Sequence, residues 1–129
     1  MPRVSQLSAW MENRPGMLAQ VADALGAKKV NIRAFMATAM DGRGFLRLVV
    51  DRPAVAKRVF AQHGWKTAAD EVVEVTVADA PGALARVAER LGAAGVNIDY
   101  AYLGTARRTG KVNIYLAVRD AKAALRALR

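Results

Sequence analysis

The sequence predicts an α+β fold of two tandem βαββαβ modules, each an antiparallel sheet covered on one face by two helices. Three observations predict it. Asn13, Arg14, Pro15, Gly16, Met17, Leu18 and Ala19 return as Asp79, Ala80, Pro81, Gly82, Ala83, Leu84 and Ala85, and Val30, Asn31, Ile32 return as Val96, Asn97, Ile98, every pair 66 positions apart. Between Pro15 and Ile32, twelve of eighteen positions are identical in the second copy, well beyond what a shared helical pattern demands. Within each copy the apolar pattern runs strand, helix, strand, strand, helix, and in the first copy a final strand. The expected modules are residues 1–69 and 70–129.

Val4 to Met11 reads as the first strand. Leu18, Val21, Ala22 and Leu25 then fall at i, i+3, i+4 and i+7, one face of a helix. Asn13 and Pro15 suit its opening, since Asn is a good N-cap type and Pro is tolerated where N–H groups have no intrahelical partner. Gly26 helps to close it. Asn31 to Thr38 is the next extended stretch, Asp41 to Gly44 the turn, and Phe45 to Val50 a strand, with Asp-Gly as the hairpin signal. Pro53 starts a second helix with the stripe Val55, Ala56, Val59 and Phe60; His63 and Gly64 end it before a short extended piece at Trp65 to Ala68.

The second copy repeats the order with a strand at Val72 to Val77, a helix carrying Leu84, Val87, Ala88 and Leu91, strands near Val96 to Leu103 and Lys111 to Val118, and a helix from Asp120. No sequence remains there for a last strand, so the second sheet is expected to lack it or to borrow one. This is the split βαβ, or ferredoxin-like, plan. Leu46, Leu48 and Val50, with Val112, Ile114 and Leu116 in the second copy, are expected to face the helices. Phe45, Arg47, Val49 and Tyr115 fall on the opposite face, which is too apolar to stay bare.

With 129 residues, each half has about 65, near the lower limit for an independent core. The absence of cysteine excludes disulfides and thiolate metal sites, and a single histidine, His63, cannot build a histidine cluster. No metal and no cofactor are expected. No run approaches the eighteen apolar residues of a membrane span, and the start of the chain does not resemble a signal peptide, so a soluble cytoplasmic protein is the expectation. The net charge is +9, with eleven Lys/Arg against four Asp/Glu in residues 1–66 and nine against seven afterwards. Such a field attracts anions of any size and does not identify one. No run of like charges marks a nucleic-acid arm.

The passage from strand one to helix one carries the chemistry. It presents unpaired backbone N–H groups and the positive end of a helix dipole, and Gly16 or Gly82 lets a ligand approach the backbone. Asn31, eighteen residues after Asn13, opens the second strand, and its start is expected to return beside the turn so that two amides converge on one small polar ligand, an ammonium or a carboxylate. The competing reading is that Asn13 and Asp79 only cap helices while Asn31 and Asn97 only make turns. Repetition of Pro, Gly and Asn at one spacing favours the site. His63 reads as a partner of helix-end carbonyls, and Asp51, Asp99 and Asp120 form neither a carboxylate pair nor a nucleophile arrangement, so catalysis is not expected. Met11, Met17, Met36 and Met40 read as fillers of core or interface gaps, with Met11 and Met17 also placed to line the pocket.

Glu12 to Ala19 followed by Val30, Asn31 and Ile32, and Asp79 to Gly82 followed by Ala94 to Ile98, resemble the signature of ACT domains, small regulatory modules of amino-acid metabolism. The resemblance covers nearly the whole chain and is strongest to stand-alone tandem ACT proteins. It implies an amino-acid ligand lying between modules paired side by side, held by the Pro-Gly turn of one and by contacts from its neighbour. Carried over, Asn13, Pro15, Gly16, Met17, Leu18, Asn31 and Ile32 form the first site, and Asp79, Pro81, Gly82, Ala83, Leu84, Asn97 and Ile98 the second. Asp79 replaces the amide of Asn13, so the second turn either holds the ligand's ammonium or only caps its helix. A homodimer and a regulated enzyme are the implied partners.

RNA binding is the alternative, because RNA-recognition motifs share this element order and stack bases on sheet aromatics. Arg43, Gly44 and Phe45 begin like their third-strand motif, but Leu46, Arg47 and Val50 depart from it, leaving Tyr100, Tyr102 and Tyr115 as the remaining support.

Overall fold

The computed structural model describes residues 3–129; Met1 and Pro2, which open the first expected module, lie outside the described residues. The elements are β1 (Arg3–Glu12), α1 (Met17–Ala27), β2 (Ile32–Met40), β3 (Arg43–Val50), α2 (Pro53–Gln62), β4 (Lys66–Ala78), α3 (Ala83–Ala93), β5 (Ile98–Thr105), β6 (Lys111–Val118) and α4 (Ala121–Ala127). Two compact units emerge: one is Ser5–Asp70, the other Glu71–Arg129 together with Arg3 and Val4.

In the Ser5–Asp70 unit, β3 pairs antiparallel with β1 on one side and β2 on the other. Asp41 (φ 52°) and Gly42 (φ 76°) form the two-residue hairpin turn, both in the left-handed region that a type I′ turn requires, and Met40 pairs with Arg43 across it. Leu46, Leu48 and Val50 pack with Met17, Val21 and Leu25 of α1 and Ala56, Val59 and Phe60 of α2 in one core, as the alternation of β3 predicts. Each of these side chains larger than alanine contributes about 1.5–3 kcal/mol by leaving water. His63 follows α2 with Nδ1 3.0 Å from the Val59 carbonyl oxygen and stacks on Trp65 at 4.5 Å, the helix-end role expected of it.

The other unit repeats the pattern, with β6 between β4 and β5, both antiparallel. Val73, Val75, Ile114 and Leu116 pack with Val87 and Leu91 of α3 and with Ala124 and Leu128. The Asp120 side chain accepts a hydrogen bond from the Ala123 N–H at 3.0 Å and so opens α4. On the sheet faces away from the helices, Phe45, Val49 and Tyr115 are buried, in line with their apolar character. Burial of Tyr115 and Phe45 removes two of the aromatic platforms that base stacking would need.

Several expectations are corrected. The extended piece at Trp65 to Ala68 and the strand at Val72 to Val77 are one unbroken strand, β4, because Ala69, Asp70 and Glu71 contain neither Gly nor Pro to break it. The buried stripe of α1 is Met17, Val21 and Leu25, and that of α3 is Ala83, Val87 and Leu91, each one residue earlier at its start than the pattern indicated. Leu18 and Leu84, both assigned to those stripes, are 47% and 55% exposed. Met40, read as a filler of core or interface gaps, is exposed in this chain and so does not fill the core, whereas Met17 is in the core and Met11 packs against it.

Candidate functional site

The two Pro-Gly turns share one backbone geometry. Gly16 and Gly82 are the N-cap residues of α1 and α3, each in the left-handed region at φ 84°, and neither helix receives a side-chain cap. Asn13 and Asp79 therefore do not cap, correcting that reading: the helices begin at Met17 and Ala83, four residues beyond them, out of reach of a capping bond to the second or third helical N–H. In the first turn Met17 N–H donates to the Arg14 carbonyl at 3.2 Å and Gln20 N–H to the Gly16 carbonyl at 3.0 Å. Among the described residues, no acceptor takes the N–H groups of Leu18 and Ala19, and the same holds for Leu84 and Ala85 in the second turn. These are the orphan donors at the positive end of each helix.

A cavity of about 310 Å³ lies at the first turn, lined by Met11, Glu12, Asn13, Arg14, Met17, Leu18, residues 37–39 and residues 44–46. The turn supplies one wall, and the end of β2 with the adjoining start of β3 supplies the other. Its chemistry is largely apolar, from Met11, Met17, Leu18, Phe45 and Leu46, with the Glu12 carboxylate, the Asn13 amide, the Arg14 guanidinium and the Thr38 hydroxyl as polar groups. Arg14 is held at the rim: its Nε donates to Glu12 Oε2 at 3.2 Å and its Nη2 to Gln20 Oε1 at 2.9 Å.

Of the residues assigned to the first site, Asn13, Met17 and Leu18 line this cavity, and Pro15 and Gly16 form the turn between them. Asn31 and Ile32 do not join them. Glu12 at the end of β1 pairs with Arg43 at the start of β3, whereas Ile32 at the start of β2 pairs with Val50 at the end of β3. The two places lie at opposite ends of a strand whose seven intervening steps span about 23 Å at about 3.3 Å per residue. The expectation that the start of β2 returns beside the turn is thus corrected, because a strand-helix-strand crossover returns the chain to the end from which it set out.

The second copy obeys the same rule. Asp79 follows Ala78, which pairs with Lys111, and Asp79 N–H donates to the Gly110 carbonyl at 2.9 Å; Ile98 pairs with Val118 at the other end of β6. Pro81 and Gly82 form the turn, Ala83 is buried in the stripe and Leu84 is exposed. Asn97 is held locally, its Nδ2 donating to Asp99 Oδ1 at 3.1 Å. Sequence reasoning missed Arg14, Thr38, Gly44, Phe45 and Leu46 as lining residues of the first cavity; the Asp-Gly hairpin that turns β2 back onto β3 was the signal that places the last three beside Thr38. Among the described residues no group of His, Asp and Glu is arranged to hold a metal ion, and no helix is long and apolar enough to cross a membrane.

The family model for the ACT domain pair matches residues 2–121. The chain belongs to the ACT domain pair family. ACT domains are regulatory rather than catalytic modules, and the alternating βαβ elements on antiparallel sheets are those of a tandem ACT pair. Among solved structures, a protein from Bacteroides thetaiotaomicron is 27% identical with a TM-score of 0.87, over 98% of this chain and 86% of its own. The regulatory subunit of aspartate kinase from Thermus thermophilus, in its ligand-free form, is 18% identical with a TM-score of 0.71, over 99% of this chain and 95% of its own. The corresponding subunit from Thermus flavus is 19% identical with a TM-score of 0.61, over 96% and 89%. The last two show a shared fold. No curated protein matches the sequence significantly.

Proposed function

We propose that this ACT domain pair is a cytoplasmic sensor that binds an amino acid with an apolar side chain at its first Pro-Gly turn and regulates an enzyme of amino-acid metabolism. The observation that carries this reading is the cavity of about 310 Å³ in which Asn13, Met17 and Leu18 meet the end of β2 and the start of β3. The open N–H groups of Leu18 and Ala19 receive the ligand carboxylate, the Asn13 side chain supplies the amide oxygen for its ammonium, and the apolar wall takes its side chain. The aspartate kinase regulatory subunits with the same fold supply the precedent for the class of target.

The remaining residues complete the proposal. Asn31 and Ile32 stand at the far end of the sheet from their own turn, so they serve a ligand held by a neighbouring module rather than their own. A homodimer provides such a neighbour, and the exposed Phe35 and Met40 of β2 give it apolar surface to cover. The modules are residues 1–69 and 70–129. Pro81, Gly82, Ala83 and Leu84 repeat the first turn, with Asp79 offering the ligand's ammonium a carboxylate, and Asn97 and Ile98 correspond to Asn31 and Ile32.

A thermal-unfolding screen against the twenty amino acids tests this reading. A ligand at about a hundred times its dissociation constant stabilises the native state by roughly 2.7 kcal/mol, so a selective rise in Tm with an apolar amino acid is expected. Asn13→Ala and Asn31→Ala are each expected to weaken that response at unchanged intrinsic stability. If no amino acid raises Tm, or if both variants respond like the parent, the proposed site is wrong and RNA binding becomes the reading to test.

A further inference from the structure

A second concavity, of about 270 Å³, lies in the Glu71–Arg129 unit between β4 and α3, lined by residues 75–77, Ala83, Arg86, Val87, Arg90 and Leu128. It is separate from the first turn and shares no residue with it. Val75, Ala83, Val87 and Leu128 are buried core residues that form an aliphatic floor, and Arg86 and Arg90 stand on the rim as exposed residues one helical turn apart. Thr76 turns its hydroxyl to Asn113 Oδ1 at 2.6 Å, so the arginines carry the available polar chemistry.

Comparison of the two copies shows that the fold does not require these arginines. Their counterparts 66 positions earlier are Gln20 and Ala24. In the first copy the turn's guanidinium comes from Arg14, and it is neutralised by Glu12 at 3.2 Å and bonded to Gln20 at 2.9 Å. In the second copy Ala78 and Ala80 replace Glu12 and Arg14, while Arg86 replaces Gln20. The guanidinium has moved from the turn to the helix, and its carboxylate partner has gone. Arg86 Nη1 lies 3.3 Å from the position a Cβ on Gly82 would take, which brings the cation toward the positive end of α3. Among the described residues no acidic side chain pairs with Arg86 or Arg90. Two like charges at this spacing on one helix repel, and a bound anion relieves that repulsion.

We propose that this groove binds a small aliphatic carboxylate, its head between Arg86 and Arg90 and its chain on the floor of Val75, Val87 and Leu128. The guanidinium fork matches a carboxylate, and the volume, just below the usual range of ligand pockets, admits a short chain. The test is a methyl-detected NMR titration of the full chain with butyrate, hexanoate and octanoate, and with 1-hexanol as the uncharged match. Saturable shifts of the Val75, Val87 and Leu128 methyls with a carboxylate are expected, with at least about tenfold weaker binding of the alcohol. Arg86→Gln and Arg90→Ala, which install the residues of the first copy, are each expected to weaken carboxylate binding about tenfold, whereas Asn13→Ala is expected to leave it intact. Unaltered binding in both arginine variants, equal binding of the alcohol, shifts confined to other residues, or no saturable shift with any of the three carboxylates would each overturn the proposal.

Discussion

Asn31 and Asp51 are tied by two hydrogen bonds, one to a side chain and one between backbones: Asn31 N–H donates to the Asp51 carboxylate oxygen Oδ1 at 2.9 Å, and Asp51 N–H donates to the Asn31 carbonyl at 3.1 Å. This reciprocal pair fixes the start of β2 to the end of β3 while consuming none of the Asn31 amide group. Asp51→Ala is expected to cost about 1 kcal/mol, the worth of one hydrogen bond to a charged acceptor at an exposed site. Asn31→Ala keeps both backbone bonds and is expected to change stability by less than about 0.5 kcal/mol. Urea unfolding of the two variants separates these outcomes.

Gly16 and Gly82 occupy the same left-handed conformation with different surroundings. No atom lies within 4 Å of a Cβ built on Gly16, so Gly16→Ala is expected to cost about 1–2 kcal/mol from backbone strain alone. At Gly82 the nearest atom is the mobile end of Arg86 at 3.3 Å, which moves aside, so Gly82→Ala is expected to cost a similar amount. Thermal unfolding that showed either variant as stable as the parent would contradict the assigned turn geometry.

Asn113 is the hub of a polar network on β6. Thr76 Oγ1 donates to its Oδ1 at 2.6 Å, its Nδ2 donates to the Thr105 carbonyl at 3.0 Å and lies 3.3 Å from the Tyr115 hydroxyl, and that hydroxyl donates to Glu74 Oε2 at 2.8 Å. Removing a buried hub leaves its partners in a poorly solvated place. Asn113→Ala is expected to destabilise by about 2–3 kcal/mol, more than Thr76→Val, and denaturant unfolding checks the order.

Leu18 offers a contrast, being a large apolar side chain 47% exposed at the wall of the first cavity. Leu18→Ser is expected to leave stability within about 0.5 kcal/mol of the parent and to reduce the ligand-induced rise in Tm. A loss of several kcal/mol would place Leu18 in the core instead.

Much of the architecture was legible because it is written in short-range pattern. The alternation of Leu46, Leu48 and Val50 identified the helix-facing side of β3, and Asp41-Gly42 identified its hairpin, since both depend on residues within a few positions of each other. The phase of α1 was not legible. Met17 and Leu18 are both good core residues, and the choice between them follows from where the Gly16 N-cap starts the helix against the sheet. The ends of the strands behaved alike: nothing local told that Lys66–Ala78 would run as one strand, apart from the absence of a breaker.

By itself the sequence determined the repeat, the order of elements, the membership of the ACT domain pair family and the position of the Pro-Gly turns, because these reside in residue identity and local spacing. Tertiary structure alone decided that Asn31 lies across the sheet from Asn13, that Thr38 and Phe45 wall the first cavity, and that Arg86 and Arg90 border a second groove. These depend on strand register and helix docking, which are set by hydrogen bonds and packing between residues far apart in the chain.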